Sequence, residues 1–218
     1  MKTKTTGLLF VMCGFLLSIT GCGPHRYLCE PGDGCFTLAD YEDTVNQWVA
    51  HDELHDRFIS QADIHAVFLS WELRQAYLDA LRDRAAVEPA YFERQKDREI
   101  KQFESGNEFH IGLYCYQKEW YRITGENPIW RLTLRTDRGD EVRPVLIEEI
   151  EIPPDQAWKY LEFLTQGRKV YRAVFPRTTE NGSLLLDKET RWFELRCHSM
   201  LGTLTMHWDV GPIPLYLK

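Results

Sequence analysis

The chain has 218 residues and a formal net charge of −7 at pH 7, from 26 Lys and Arg against 33 Asp and Glu. Proteins that bind nucleic acid normally present a basic stripe or patch, and this sequence contains none, which argues against a nucleic-acid partner. A chain of this length can bury one sizeable core, and no interior stretch has the composition of a domain linker. We therefore expect a single globular domain over residues 37–218.

The first residues follow the order of an export signal. Lys2 and Lys4 precede an apolar run over residues 8–17, which is shorter than the roughly 20 apolar residues that cross a bilayer as a helix. Small residues and a cysteine close the segment, as Ile19-Thr20-Gly21-Cys22. The sequence thus predicts a signal peptide over residues 1–21.

This segment resembles the signal of bacterial lipoproteins, in which signal peptidase II cleaves before a cysteine that has been diacylated. The resemblance implies a covalent lipid, such as palmitate, on Cys22, and no other cofactor is expected. Gly23 occupies the position where Asp often retains a lipoprotein at the inner membrane, so the resemblance favours an outer-membrane lipoprotein that faces the periplasm. Residues 22–36, which are rich in Pro and Gly, are predicted to be the lipidated tether.

Four cysteines remain beyond the signal peptide and the lipidated position: Cys29, Cys35, Cys115 and Cys197. An even number in an exported chain predicts disulfides. Pairing of Cys29 with Cys35 is favoured because they flank a Pro-Gly-Asp-Gly turn, and pairing of Cys115 with Cys197 because both lie in strand-like runs. A metal site that uses the second pair together with His198 is the alternative, although no C-x-x-C spacing supports it.

The first half of the chain carries helical patterns. A capping-box sequence at residues 37–40 is followed by apolar residues at helical spacing, which predicts a helix over 38–56. Residues 72–86 form an amphipathic pattern, and a further, mostly solvated helix is predicted over 89–105, with Pro89 in its first turn. Between the first two helices, the β-branched and aromatic run at 64–69 favours a strand.

After Gly106 apolar and polar residues alternate, as is typical of strands. Strands are predicted at residues 109–116, 130–135, 142–152, 170–175, 191–197 and 204–210. Short strands without long helices between them favour antiparallel sheets. The predicted fold is mainly β with helices (α+β): an antiparallel Ig-like β-sandwich with an early helical insertion and a preceding helix. In this respect the chain is similar to uncharacterised β-sandwich lipoproteins of bacterial envelopes.

The sharpest candidate for chemistry is His51-Asp-Glu-Leu-His55. On the predicted helix, His51 and His55 would lie one turn apart on one face, a spacing that suits zinc. Asp52, however, stands where the helix of zinc proteases requires its catalytic Glu. Two exposed histidines on a polar helical face are the alternative interpretation.

No nucleophile signature or phosphate loop is present, and no catalytic residue is assigned. The sequence therefore favours a membrane-anchored envelope lipoprotein that acts as a non-enzymatic protein-binding or assembly module, with another envelope protein as its partner. Two alternatives stay open. One is a metal-dependent periplasmic hydrolase that uses His51 and His55, and the other is a small-ligand or sugar-binding module that uses some of the 7 Trp and 10 Tyr.

The predicted lipid can be tested by replacing its acceptor. Cys22→Ala should move the chain from the membrane pellet to the supernatant and abolish its labelling by palmitate, because two or three acyl chains are what hold such a protein stably. Cys13→Ala, inside the predicted signal, is the matched control and should change neither property. Retention of the Cys22→Ala protein in carbonate-washed membranes would contradict the prediction.

Overall fold

The computed structural model describes residues 26–33, 40–84, 87–151 and 167–211. The helices are α1 (Tyr41–Trp48), α2 (Trp71–Arg84) and α3 (Pro89–Ser105), and a short 3-10 helix covers Lys118–Tyr121. The strands are β1 (Val49–Asp56), β2 (Ile59–Phe68), β3 (Asn107–Cys115), β4 (Arg131–Thr136), β5 (Glu141–Val142), β6 (Leu146–Glu149), β7 (Lys169–Phe175), β8 (Trp192–His198) and β9 (Thr203–Asp209). None of the helices in these ranges has the length and apolar character needed to cross a membrane.

The strands form two antiparallel sheets that enclose the core. Their strand orders are β1-β2-β3-β7-β6 and β5-β4-β8-β9. The inner faces meet through aromatic rings: Phe109 of β3 lies with its ring centroid 5.5 Å from that of Trp208 in β9 and 6.2 Å from that of Phe193 in β8. This confirms the predicted α+β sandwich, with α1 before β1 and the pair α2 and α3 inserted between β2 and β3.

The first predicted helix is wrong in its second half. The Asp40 side chain caps α1 by accepting a hydrogen bond from the backbone N–H of Asp43 at 2.9 Å, but the helix ends at Trp48 and the following residues form β1. The physical reason is a period of two in the burial of β1, where Asp52 and Leu54 are half-buried between exposed neighbours. A helix continued through these residues would turn polar side chains toward the core.

The other elements follow the predictions closely, with one division. The single strand predicted over 142–152 is split into β5 and β6, and Pro144 lies in the break between them. Proline lacks the N–H that a ladder requires, so it interrupts the strand. Both faces of β3 are buried, and α3 packs near its outward face.

One arginine connects the inserted helices to the sheet. Arg74 of α2 is only 2% exposed, and its Nη1 donates to Oε2 of Glu99 in α3 at 2.5 Å, while Nη2 donates to Oε2 of Glu108 in β3 at 2.8 Å. Since Phe109 faces the core, Glu108 lies on the outward face of the strand. The buried arginine therefore holds both helices against that face.

The Glu108 carboxylate also binds cations from the sheet. Nε of Arg172 in β7 donates to its Oε1 at 2.6 Å, and Nε2 of His110 lies 3.3 Å from the same oxygen. Burial alone would raise the pKa of Glu108, but the hydrogen bond with His110 and the charges of Arg74 and His110 hold this pKa far below its usual range. The carboxylate is therefore ionised and fully engaged.

The described part of the predicted tether packs on the body instead of extending from it. Gly211 donates its backbone N–H to the carbonyl of Arg26 at 2.8 Å, and Nη2 of Arg177 donates to Oε1 of Glu30 at 2.7 Å. Lys188 pairs with Asp33 in the same way, at 2.9 Å. The prediction of a tether over 22–36 is therefore corrected for residues 26–33, which these contacts tie to the domain.

Removing the central arginine tests the buried cluster. Arg74→Met leaves Glu99 and Glu108 without their shared cation, and breaking a buried pair in this way costs about 3–5 kcal/mol of unfolding free energy. Arg98→Met, at an exposed position of α3, is the matched control and should change the stability by less than about 0.5 kcal/mol. Urea unfolding followed by tryptophan fluorescence measures both, and equal midpoints for the two variants would contradict the role of Arg74.

Candidate functional site

The predicted metal site loses its geometry in the structure. His51 and His55 lie on β1, where four residues span about 13 Å instead of one helical turn. The His51 ring stacks on that of His65 with centroids 5.2 Å apart, while Nε2 of His55 lies 3.1 Å from Oε2 of Glu53. The part of the chain that the structure describes holds no group of three or more His, Cys, Asp or Glu arranged for a metal ion. The helical premise of this site is therefore wrong.

The cysteines pack as apolar side chains. Cys115 and Cys197 are buried free thiols, so the predicted disulfide between them is wrong. Burial raises the pKa of the Cys115 thiol to about 11. The pKa of the Cys197 thiol is also raised, mainly by burial and to a smaller extent by the nearby Cys115. Cys29 is disulfide-bonded, and because Cys35 lies outside the described residues, the pairing of these two stays a prediction.

The alternative metal site built on Cys115, Cys197 and His198 fails for a related reason. Cys197 is completely buried and points into the core, whereas His198, its neighbour in β8, is half-buried on the opposite face. Nδ1 of His198 instead lies 3.0 Å from the hydroxyl oxygen of Thr203. The thiols and the imidazole therefore do not converge on one point.

The fold brings several chain segments together at one end of the sandwich. Tyr116, which follows β3, donates its backbone N–H to the carbonyl of Gln61 near the start of β2 at 3.0 Å. The turn between β8 and β9 reaches the same end, because a Cβ placed on Gly202 would stand only 2.8 Å from Cδ1 of Leu54 in β1. The tips of the β1–β2 and β8–β9 hairpins and the exit of β3 thus lie side by side.

Large apolar side chains project from these segments. Phe58 and Ile59 of the β1–β2 tip are 101% and 49% exposed, Tyr116 is 58% exposed, and Met200 of the β8–β9 turn is 103% exposed. We call these residues the apolar end. Single exposed apolar residues are common on proteins, but a group of them at one place marks an interaction surface.

A cleft of about 790 Å³ opens beside Met200. Its apolar lining comes from three segments: Trp120 of the 3-10 helix, Pro128 and Ile129 before β4, and Met200 and Leu201 of the turn. Its polar lining is Arg122, Asn127, Arg131, His198 and Ser199.

Backbone hydrogen bonds hold the walls of the cleft in place. The carbonyl of Arg122 accepts from the N–H groups of Ile129 and Trp130 at 2.7 and 3.2 Å, which closes the intervening loop. The indole of Trp130, fully buried, donates to the carbonyl of Trp120 at 2.8 Å and so fixes the 3-10 helix. The cleft is therefore preformed by the fold.

The charge of the cleft is opposite to that of the whole chain. Arg122 and Arg131 are both exposed, and within the described ranges neither guanidinium makes an ion pair or a hydrogen bond. No acidic residue belongs to the described lining. In a chain whose net charge is −7, this places two uncompensated cations next to an apolar surface.

The N-terminal segment lies at the opposite end of the molecule. Tyr27 forms a parallel bridge with Gly211, just beyond the last residue of β9, whereas Thr203 begins β9 beside the apolar end. The 7 residues of this strand span about 20 Å at the usual rise. The first described residue, Arg26, is therefore separated from the apolar end by about the length of the sandwich.

No protein-family model, no curated protein and no solved structure matches this chain. The interpretation of the apolar end therefore depends on its own geometry and chemistry. The sequence did contain a signal for it, since Phe58 and Met200 are large apolar residues in short turns, where polar residues are the rule. What the sequence could not show is that the two turns meet.

The thiols offer a direct test of the packing described above. At pH 8 a pKa of about 11 leaves roughly one Cys115 in a thousand as thiolate, so both buried cysteines should be inert to Ellman's reagent in the folded protein. In guanidinium chloride without reductant, the wild type should release two more thiols than the Cys115→Ala/Cys197→Ala variant. Equal thiol counts in the unfolded proteins would mean that the two cysteines had been joined.

Proposed function

We propose that this chain is a membrane-anchored envelope lipoprotein that acts as a non-enzymatic protein-binding or assembly module, held at the outer membrane and facing the periplasm. The observation that supports the proposal is that the N-terminal segment and the apolar end lie at opposite ends of the sandwich. The segment that leads to Cys22 is tied to one end, and the cluster of exposed apolar residues Phe58, Ile59, Tyr116 and Met200 lies at the other.

The anchor would be short. Only residues 23–25 separate Cys22 from Arg26, and four residues reach at most about 14 Å. Because the body is acidic, anionic headgroups repel it, so the lipid rather than the protein surface would hold the chain at the bilayer. The apolar end would then project into the periplasm, where a partner protein can reach it.

The form of the apolar end favours a protein over a small ligand. Sites for small molecules usually enclose most of the ligand, whereas Met200 beside the cleft and Phe58 at the neighbouring tip are fully exposed. Such projecting side chains become buried only when a second surface covers them. A hydrolase centred on His51 and His55 has less support, since those residues lie on a strand and bind neighbouring side chains.

Photocrosslinking in the native envelope tests this proposal. Benzoylphenylalanine placed at Phe58 or at Met200 should give an adduct of one defined mass, because both side chains would lie in the partner interface. The matched control is Tyr91, an exposed aromatic residue on α3, where the same probe should give no such adduct. Adducts that form equally at Tyr91, or that are missing at both positions of the apolar end, would overturn the proposal.

A further inference from the structure

We infer that the cleft beside Met200 is a docking site for a short acidic and apolar peptide segment of the partner protein, with its apolar side chains in the cleft and its carboxylates on Arg122 and Arg131. The inference depends on the proposed function, because it assigns the chemistry of the partner at that same end of the molecule. It also goes further, since it predicts which residues the partner must contribute.

The apolar wall has the features of a binding hot spot. Trp120, Ile129 and Leu201 are half-buried, so each presents one apolar face to the cleft while the rest of the side chain packs on the body. Tryptophan is among the residues that contribute most to interface energies, and the hydrogen bond from Trp130 fixes the backbone of Trp120 before any partner arrives. A preformed wall lowers the entropy cost of binding.

The cations give the site its specificity. Arg131 of β4 lies directly across from His198 of β8 in the sheet register, and both line the cleft. Elsewhere in the same sheet, Nη2 of Arg196 lies 2.8 Å from Oε2 of Glu194, whereas no carboxylate among the described residues pairs with Arg122 or Arg131. Guanidinium groups bind carboxylates in a bidentate manner, so carboxylates of an acidic partner would form ion pairs with these two arginines.

The dimensions favour a peptide segment as the occupant. A volume of about 790 Å³ accommodates a few side chains and not the face of a folded domain. Phe58 and Tyr116 are exposed at the same end but outside the described lining of the cleft, so a small amphiphilic anion would leave them uncovered. Met200 adds a flexible, polarizable side chain of the kind that adapts to peptide ligands.

The test uses the full lipidated chain in lipid nanodiscs and a phage-displayed library of random dodecapeptides, with counter-selection on empty nanodiscs. We expect enrichment of peptides that combine Asp or Glu with Leu or aromatic residues. The tightest peptide, made synthetically, should lose about tenfold or more in affinity for Arg122→Gln/Arg131→Gln, since each charged hydrogen bond contributes substantially. Arg98→Gln/Arg143→Gln, at two exposed positions that form no ion pair with the described residues, changes the net charge equally and should bind as the wild type does.

Several results would overturn the inference. The selection would do so if it enriched basic or neutral peptides, or nothing above empty nanodiscs, and so would peptide binding that does not change in the Arg122 and Arg131 variant. A dimer in light scattering that Met200→Ser abolishes would also overturn it, because a second copy of the chain would then be the occupant. If adducts at Phe58 and Met200 persist while acidic peptides fail, the docking chemistry is wrong and the proposed function stands. If the adducts fail while acidic peptides bind through the two arginines, the proposed function is wrong and the docking chemistry stands.

Discussion

The Glu108 carboxylate is the group on which the arrangement of this fold depends. It lies on the outward face of the central strand β3, only 2% exposed, and it accepts hydrogen bonds from Arg74 of α2 and Arg172 of β7. Through Arg74 the same cluster reaches Glu99 of α3. A buried ion pair is weak evidence for stability in itself. Here, however, its geometry defines one way for two helices to dock on a sheet, and apolar contacts alone would define it less well.

Among the described residues, the docked helices cover one end of the sandwich and leave apolar side chains exposed at the other. The α2–α3 pair leaves the sheet after Phe68 and returns at Asn107, so both connections lie at the end where the N-terminal segment also binds. At the other end the described connections include the short β1–β2 and β8–β9 hairpin turns and a 3-10 helix. Short turns leave little backbone to cover apolar side chains, and Phe58 and Met200 are therefore exposed. The helical insertion and the apolar end are two consequences of one topology.

Local sequence patterns predicted most helices and strands, but they could not predict contacts between residues that are distant in the chain. Alternation identified β3, β4 and β7 to β9 because strand burial is a property of neighbouring residues. The hydrogen bond between Arg74 and Glu108 joins residues 34 apart in the chain, and no sequence pattern in either segment indicates that the two residues pair. The same limit explains the error at Cys115 and Cys197, whose strand-like surroundings indicated burial but not whether the thiols are joined. It also explains why Met200 was not connected with Trp120 before the fold placed both beside one cleft.

Electrostatics support the orientation that the proposed anchor requires. With Cys22 lipidated, the N-terminal end would stay within about 14 Å of the bilayer, and the length of the sandwich would add about 20 Å before the cleft. At physiological ionic strength the Debye length is about 8 Å, so Arg122 and Arg131 would lie beyond the field of the headgroups. The acidic body nearer the surface would meanwhile be repelled. In that orientation, the two arginines would be left for a carboxylate that approaches from the side away from the bilayer.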